Sequence, residues 1–173
     1  MNDDQIISYK GKRPKIGKNV YIAPGARLIG DVTIGDDSCV LYNAVLRADL
    51  APIVIGKGSN IQDNVSVHLS DTQGVLIGDD VTVGHNAILH ACTIEDDCTV
   101  GMGSIVMDGA LIRKHTIVGA GALIPPSKEY PEASLLVGAP ARIVRSLTLE
   151  EINTNHANTE HYVVVKDELM RSF

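Results

Sequence analysis

From residue 16 onward, an aliphatic residue returns every sixth position: Ile16, Ile22, Leu28, Ile34, Val40, Leu46. After a break the series continues with Ile55, Ile61 and Val67, and after another with Ile77, Val83 and Leu89. It then runs Ile94, Val100, Val106, Ile112, Val118 and Ile124, and resumes at Val137 and Ile143. The fifth residue of most hexads is small or β-branched, as at Ala26, Val65, Ala87 and Ser104, and glycine often follows the opener. Two inward side chains, two positions apart in each hexad, describe a short strand ending in a tight corner. Three strands and three corners close a triangular coil of about 18 residues, and coils stack by parallel pairing about 4.8 Å apart. Neither a helix of 3.6-residue period nor an ordinary sheet of alternating strands sustains a strict six.

These hexads resemble the hexapeptide repeat of left-handed parallel β-helix proteins, and the resemblance covers residues 16–147. The left hand is implied by the resemblance, since the general crossover rule favours the opposite hand. The segment Gly-Ala-Pro-Ala-Arg-Ile-Val-Arg at 138–145 looks like the closing stretch of such proteins. The expected organisation is an all-β solenoid at 16–147, a lead-in at 1–15 and a C-terminal α-helix at 148–173. Breaks at 49–54, 70–76 and 126–136 read as insertions pushed out at corners, where a solenoid tolerates them. Thr148 and Glu151 have capping-box spacing at the helix start. The polar run 153–158 predicts an interruption, and Val163, Val164 and Val165 are weak helix formers.

Composition narrows the function. Aromatics make up only 3% of the chain, so the core must be aliphatic and narrow. The net charge of −6 has its signs interspersed, with no basic block to follow a phosphate backbone, so nucleic acid is not an expected partner. No apolar run is long enough to span a membrane, and residues 1–5 lack a signal-peptide pattern, which predicts a cytoplasmic protein. Cys39, Cys92 and Cys98 form no CxxC pair and read as small buried thiols.

The chemistry gathers in Asn60–His68 and Val83–His90, which hold three of the six histidines. With the coil faces labelled a, b and c from Ile16, the openers Leu46, Val67 and Leu89 all fall on face c. The residues after them, Arg47, His68 and His90, stack in one outward column. His68 and His90 are therefore neighbours on adjacent coils, near enough to share an ion. His85 lies at the corner between faces b and c and points away from them, so one chain cannot bring all three together. Face c of one copy against the b corner of the next can, and such a heterologous contact must close as a ring or grow without end; for a triangular prism the natural closure is a homotrimer. Asp63 holds the same corner position one coil below His85, so it should meet Arg47 across the same interface. His115, His156 and His161 have no such register. Three neutral imidazoles with no fourth protein ligand suit a catalytic zinc site, whose open position takes water. Nitrogen ligands also accommodate iron or cobalt.

At this point the residues resemble the γ-class carbonic anhydrase family: Arg47-Ala48-Asp49, Gln62-Asp63-Asn64 and the set His68, His85, His90 match its pattern. The resemblance implies a homotrimer with interfacial metal sites, in which a zinc-bound hydroxide hydrates CO2 to bicarbonate. It implies His68, His85 and His90 as ligands, Gln62 orienting the hydroxide, Arg47 and Asp63 ordering the interface, and Asn60 and Asp49 in support. Archetypal members carry an acidic loop after the first histidine ligand. Here that loop is Leu69-Ser70-Asp71-Thr72-Gln73-Gly74, with Asp71 as its one acidic group, which predicts slow proton export. Three other functions use the same framework: a metal-assisted thioester (acyl-CoA) hydrolase, a hexapeptide-type acyltransferase, and a trimeric binding scaffold without turnover.

Overall fold

The computed structural model describes residues 4–172. It is a left-handed parallel β-solenoid followed by one helix, Leu149–Ser172. The opener of each hexad and the small residue two places before the next opener point into one aliphatic core; Leu28, Leu46, Ile61, Leu89, Ile94 and Ile112 are all fully buried. Each such side chain contributes on the order of 1.5–3 kcal/mol through burial. The small partners are needed because three walls converge on a narrow axis. Ala26, Ala44, Ala87 and Ser104 fill it without an exposed atom.

Wall b is an eight-stranded sheet running from Tyr21–Ile22 to Ser134–Gly138 and closed at its upper edge by the antiparallel strand Ala141–Ser146. Walls a and c join in a twelve-stranded sheet, because Arg27–Ile34 and Val45–Ile55 continue through the corner between them. The insertion expected at 49–54 is present: Gly30 pairs with Ala48 but Val32 pairs with Ile53, so residues 49–52 stand opposite the single residue 31, and Leu50 is exposed. They stay extended within the strand Val45–Ile55, and pairing with the coil below resumes at Ile53 after a register shift between Gly30 and Val32. The break expected at 126–136 is absent. Tyr130 and Leu136 continue the series in steps of six, both buried, while Val137 and Ile143 are exposed. Counting only aliphatic openers had hidden Tyr130. At the lower end, Ile6–Ile7 pairs in parallel with Leu28–Ile29, so strand pairing begins ahead of residue 16.

The helix lies along wall b without interruption, which overturns the break expected near 153–158. Weak local propensity is outweighed by contacts to the wall. Asn155 is held by Thr99 and donates to Asp97 O at 3.2 Å, and Thr159 meets Thr82 Oγ1 at 3.1 Å. Lys166 is fully buried; it donates to Asn19 O at 2.9 Å and pairs with Asp167 at 2.6 Å. Tyr162 and Leu169 pack on a second apolar cluster formed by Tyr21, Ala23, Cys39 and Leu41. The capping box is formed: Glu151 N donates to Thr148 Oγ1 at 3.2 Å, and Thr148 N donates to Glu151 Oε2 at 2.9 Å. Among the described residues, no helix is long and apolar enough to cross a membrane.

Candidate metal centre

Wall c builds one half of the site. The strand Ser66–His68 pairs in parallel with Ile88–His90 so that His68 and His90 are direct partners, and Val45–Leu46 pairs below with Ser66–Val67, putting Arg47 at the next position down. The two rings, 5.2 Å apart between centroids, belong to a four-membered chain of side chains. Asp49 Oδ1 lies 3.0 Å from His68 Nε2, His68 Nδ1 lies 3.2 Å from His90 Nε2, and His90 Nδ1 lies 2.6 Å from Asp108 Oδ1. Arg47 forms an ion pair with Asp49.

The order Asp–His–His–Asp has a chemical consequence. Each carboxylate accepts the N–H on the outer side of its ring, which fixes the tautomer. The two inner nitrogens are then lone-pair acceptors facing each other, an arrangement that requires a proton or a cation between them. For tetrahedral zinc with Zn–N near 2.0–2.1 Å, two ligand nitrogens sit about 3.3 Å apart. The observed 3.2 Å separation fits. Burial opposes ionisation of Asp49, but the His68 hydrogen bond and the Arg47 charge outweigh it and hold its pKa below the usual carboxylate range.

The corner between walls b and c builds the other half. Asn64 and Asn86, both at φ 60°, turn the chain out of wall b in left-handed conformations that asparagine tolerates, and this throws Asp63 and His85 onto the outer edge. Asn86 N donates to Asp63 O at 2.9 Å, locking the two corners one above the other. His85 Nδ1 meets Asp63 Oδ2 at 3.0 Å, and Asp63 Oδ1 also accepts from Tyr42 N at 3.0 Å. Gln62, 4% exposed, belongs to this half as well. Its amide donates to Asn60 Oδ1 at 3.0 Å, and Asn60 donates to Thr82 Oγ1 at 2.8 Å.

The sequence-derived residues thus divide into two groups: Arg47, Asp49, His68 and His90 on wall c; Asn60, Gln62, Asp63 and His85 at the b corner. Among the described residues of one chain, no group of three or more His, Cys, Asp or Glu is arranged to hold a metal ion. Arg47 and Asp63 each engage a partner within their own half, Asp49 and His85. Asp71 lies on the exposed loop after His68. His115 and His156 both bind Asp97, at 2.8 and 3.0 Å, and serve the corner under the helix. Asp108 escaped the sequence reading. The signal was its place next to Met107, the residue that stands one coil above His90.

Residues 13–48 and 91–126 match the family model described as bacterial transferase hexapeptide (six repeats). The chain is 49% identical over 154 residues to a probable carbonic anhydrase of Methanocaldococcus jannaschii, covering 89% of this chain and 97% of that one. It is 44% identical over 164 residues to the mitochondrial γ carbonic anhydrase 2 of Arabidopsis thaliana, covering 91% of this chain but only 59% of that relative's length. Among solved structures, a Bacillus cereus protein described as a candidate acetyltransferase superposes with a TM-score of 0.97 at 37% identity, over 99% of this chain and all of that one. With its coil architecture and these relatives, the chain belongs to the γ-class carbonic anhydrase family of hexapeptide-repeat proteins.

Proposed function

We propose that the protein is a γ-type carbonic anhydrase whose active site is completed between adjacent copies of a homotrimer. The observation that carries this reading is the pair of inward-facing imidazole nitrogens, each ring anchored from outside by a carboxylate. His68 and His90 of one copy hold a divalent cation, zinc by ligand type, with iron or cobalt as substitutes. His85 of the next copy brings the third imidazole, because wall c and the b corner are the two halves that a threefold ring juxtaposes. When bound, zinc supplies the Lewis acidity that makes water an effective nucleophile near neutral pH. Asp49 and Asp108 keep the His68 and His90 rings in the ligating tautomer. Arg47 places a positive charge beside His68, where bicarbonate develops, and Asp63 of the adjoining copy pairs with it. Gln62, buried and fixed through Asn60, presents an amide to orient CO2 and the attacking water. Three buried free thiols, each raised to about 12 by burial, suit a reducing, cytoplasmic compartment.

Complementation tests the shared site. His85→Ala and the double variant His68→Ala/His90→Ala are each expected to lose metal and CO2 hydration. Refolded together in equal amounts, random rings regain about a quarter of the wild-type sites. Trimers that recover neither metal nor hydration would refute the shared site. The Bacillus cereus relative favours a second reading, acyl transfer. Acetyl transfer from acetyl-CoA that survives chelation would support it, whereas metal-dependent cleavage of the thioester without transfer would indicate a hydrolase on the same centre.

A further inference from the structure

One coil above the histidines, the polar columns turn apolar. Met102 occupies the b corner directly over His85, since Gly103 N donates to His85 O at 2.8 Å, and it is 58% exposed in the single chain. On wall c, Leu89 pairs with Val106 and Ile88 with Ile105. Met107 therefore follows its strand as His90 follows its own. Ile88 and Ile105 are both exposed, in a protein whose large side chains are otherwise mostly buried. Met102 and Met107 occupy the same two columns that carry His85 on the corner and His68 and His90 on the wall, and Ile88 and Ile105 line the neighbouring outward column on wall c. One coil below, the same columns carry Asp63 and Arg47.

We propose that Met102 of one copy packs against Met107 and Ile105 of the next and forms an apolar wall over the shared site. The inference rests on the shared-site reading above. The register that sets His85 against the His68–His90 pair moves Met102 up by one coil and sets it between His90 and Met107. The pocket then has a direction. Its Arg47 end is charged and its Met102 end is dry, so it takes a small, uncharged, apolar substrate from one side and stabilises an anion at the other. The methionine also limits size: an acyl chain longer than a methyl group runs into its thioether. Met102 is a specificity-determining residue on this account, and it ligates nothing.

Two variants test this on the full-length protein. Met102→Cys combined with Met107→Cys should form disulfides between chains under mild oxidation, giving covalent dimers and trimers on a non-reducing gel. Neither single variant should do so, because Cys39, Cys92 and Cys98 are at most 2% exposed. Met102→Ala should keep the trimer and its metal content while shifting the ratio of p-nitrophenyl butyrate to p-nitrophenyl acetate hydrolysis upward by about 10-fold, the scale set by methylene-sized changes in an apolar pocket. Trimers with full metal that neither cross-link nor change their ester ratio would overturn the apolar wall and leave the shared site standing. Cross-linking with an unchanged ratio would overturn the size limit. A wild-type protein that is monomeric, or trimeric without metal, would overturn both readings.

Discussion

Replacing Asp108 by asparagine probes the centre most directly, because it changes charge with almost no change in volume. Asp108 Oδ1 accepts from His90 Nδ1 at 2.6 Å, the short distance of a charge-assisted hydrogen bond. The amide oxygen of asparagine can still accept this proton, but its NH2 group can equally donate and favour the wrong tautomer. Loss of an outer partner to a ligating histidine typically costs 10–100-fold in metal affinity. Asp108 is 47% exposed, so water screens it, and the lower end applies: about 10-fold, or about 1.4 kcal/mol. Asp49 is only 18% exposed and also neutralises Arg47, so Asp49→Asn should cost more. Competition for Zn2+ against a chromophoric chelator gives both affinities, with His90→Ala as the control for a lost ligand. Should Asp108→Asn bind zinc within twofold of wild type while His90→Ala does not bind, the carboxylate does not set the ring and the argument for two matched Asp–His pairs fails.

Two pH effects follow from the helix. Hydrogen bonding to Arg145 and to the Thr148 backbone lowers the Glu151 pKa to about 2, so its stabilisation is complete above the ordinary glutamate range and is lost as pH falls through about 2. The difference in melting temperature between wild type and Glu151→Gln should therefore be full at pH 6 and shrink steadily below pH 4; a gap unchanged at pH 2.5 would contradict it. His156 moves the other way: its hydrogen bond to Asp97 raises its pKa, so the contribution is present below the usual histidine range and fades as pH rises through the raised value. His156→Gln should narrow the stability difference between pH 5.5 and pH 8.5, read by thermal unfolding.

Much of this architecture is written in the chain because one interaction dominates it. A solenoid buries the same two positions of every hexad, so the aliphatic period exposes walls, corners and the outward columns at once. Column counting sufficed to pair His68 with His90 and to separate His85 from both. It failed where a different residue type did the same job, as Tyr130 does for an aliphatic opener. It also failed where long-range contacts decided local structure. Nothing in the polar run 153–158 announces that Asn155 will be held by Thr99 and Asp97, yet that is what carries the helix through. Asp108 was legible in principle, but only by asking what stands beside the position one coil above His90, beyond the motif that holds the histidines.

The helix that roofs wall b also governs which neighbours the prism can accept. With Asn155, Thr159 and Lys166 seated in that wall, a second copy could approach from that side only by stripping away a buried cation and its polar company. Lateral traffic is confined to the two bare sides and the edges between them. A tail with no part in the His68–His90 pair thereby rules out the packing in which the prisms would meet back to front.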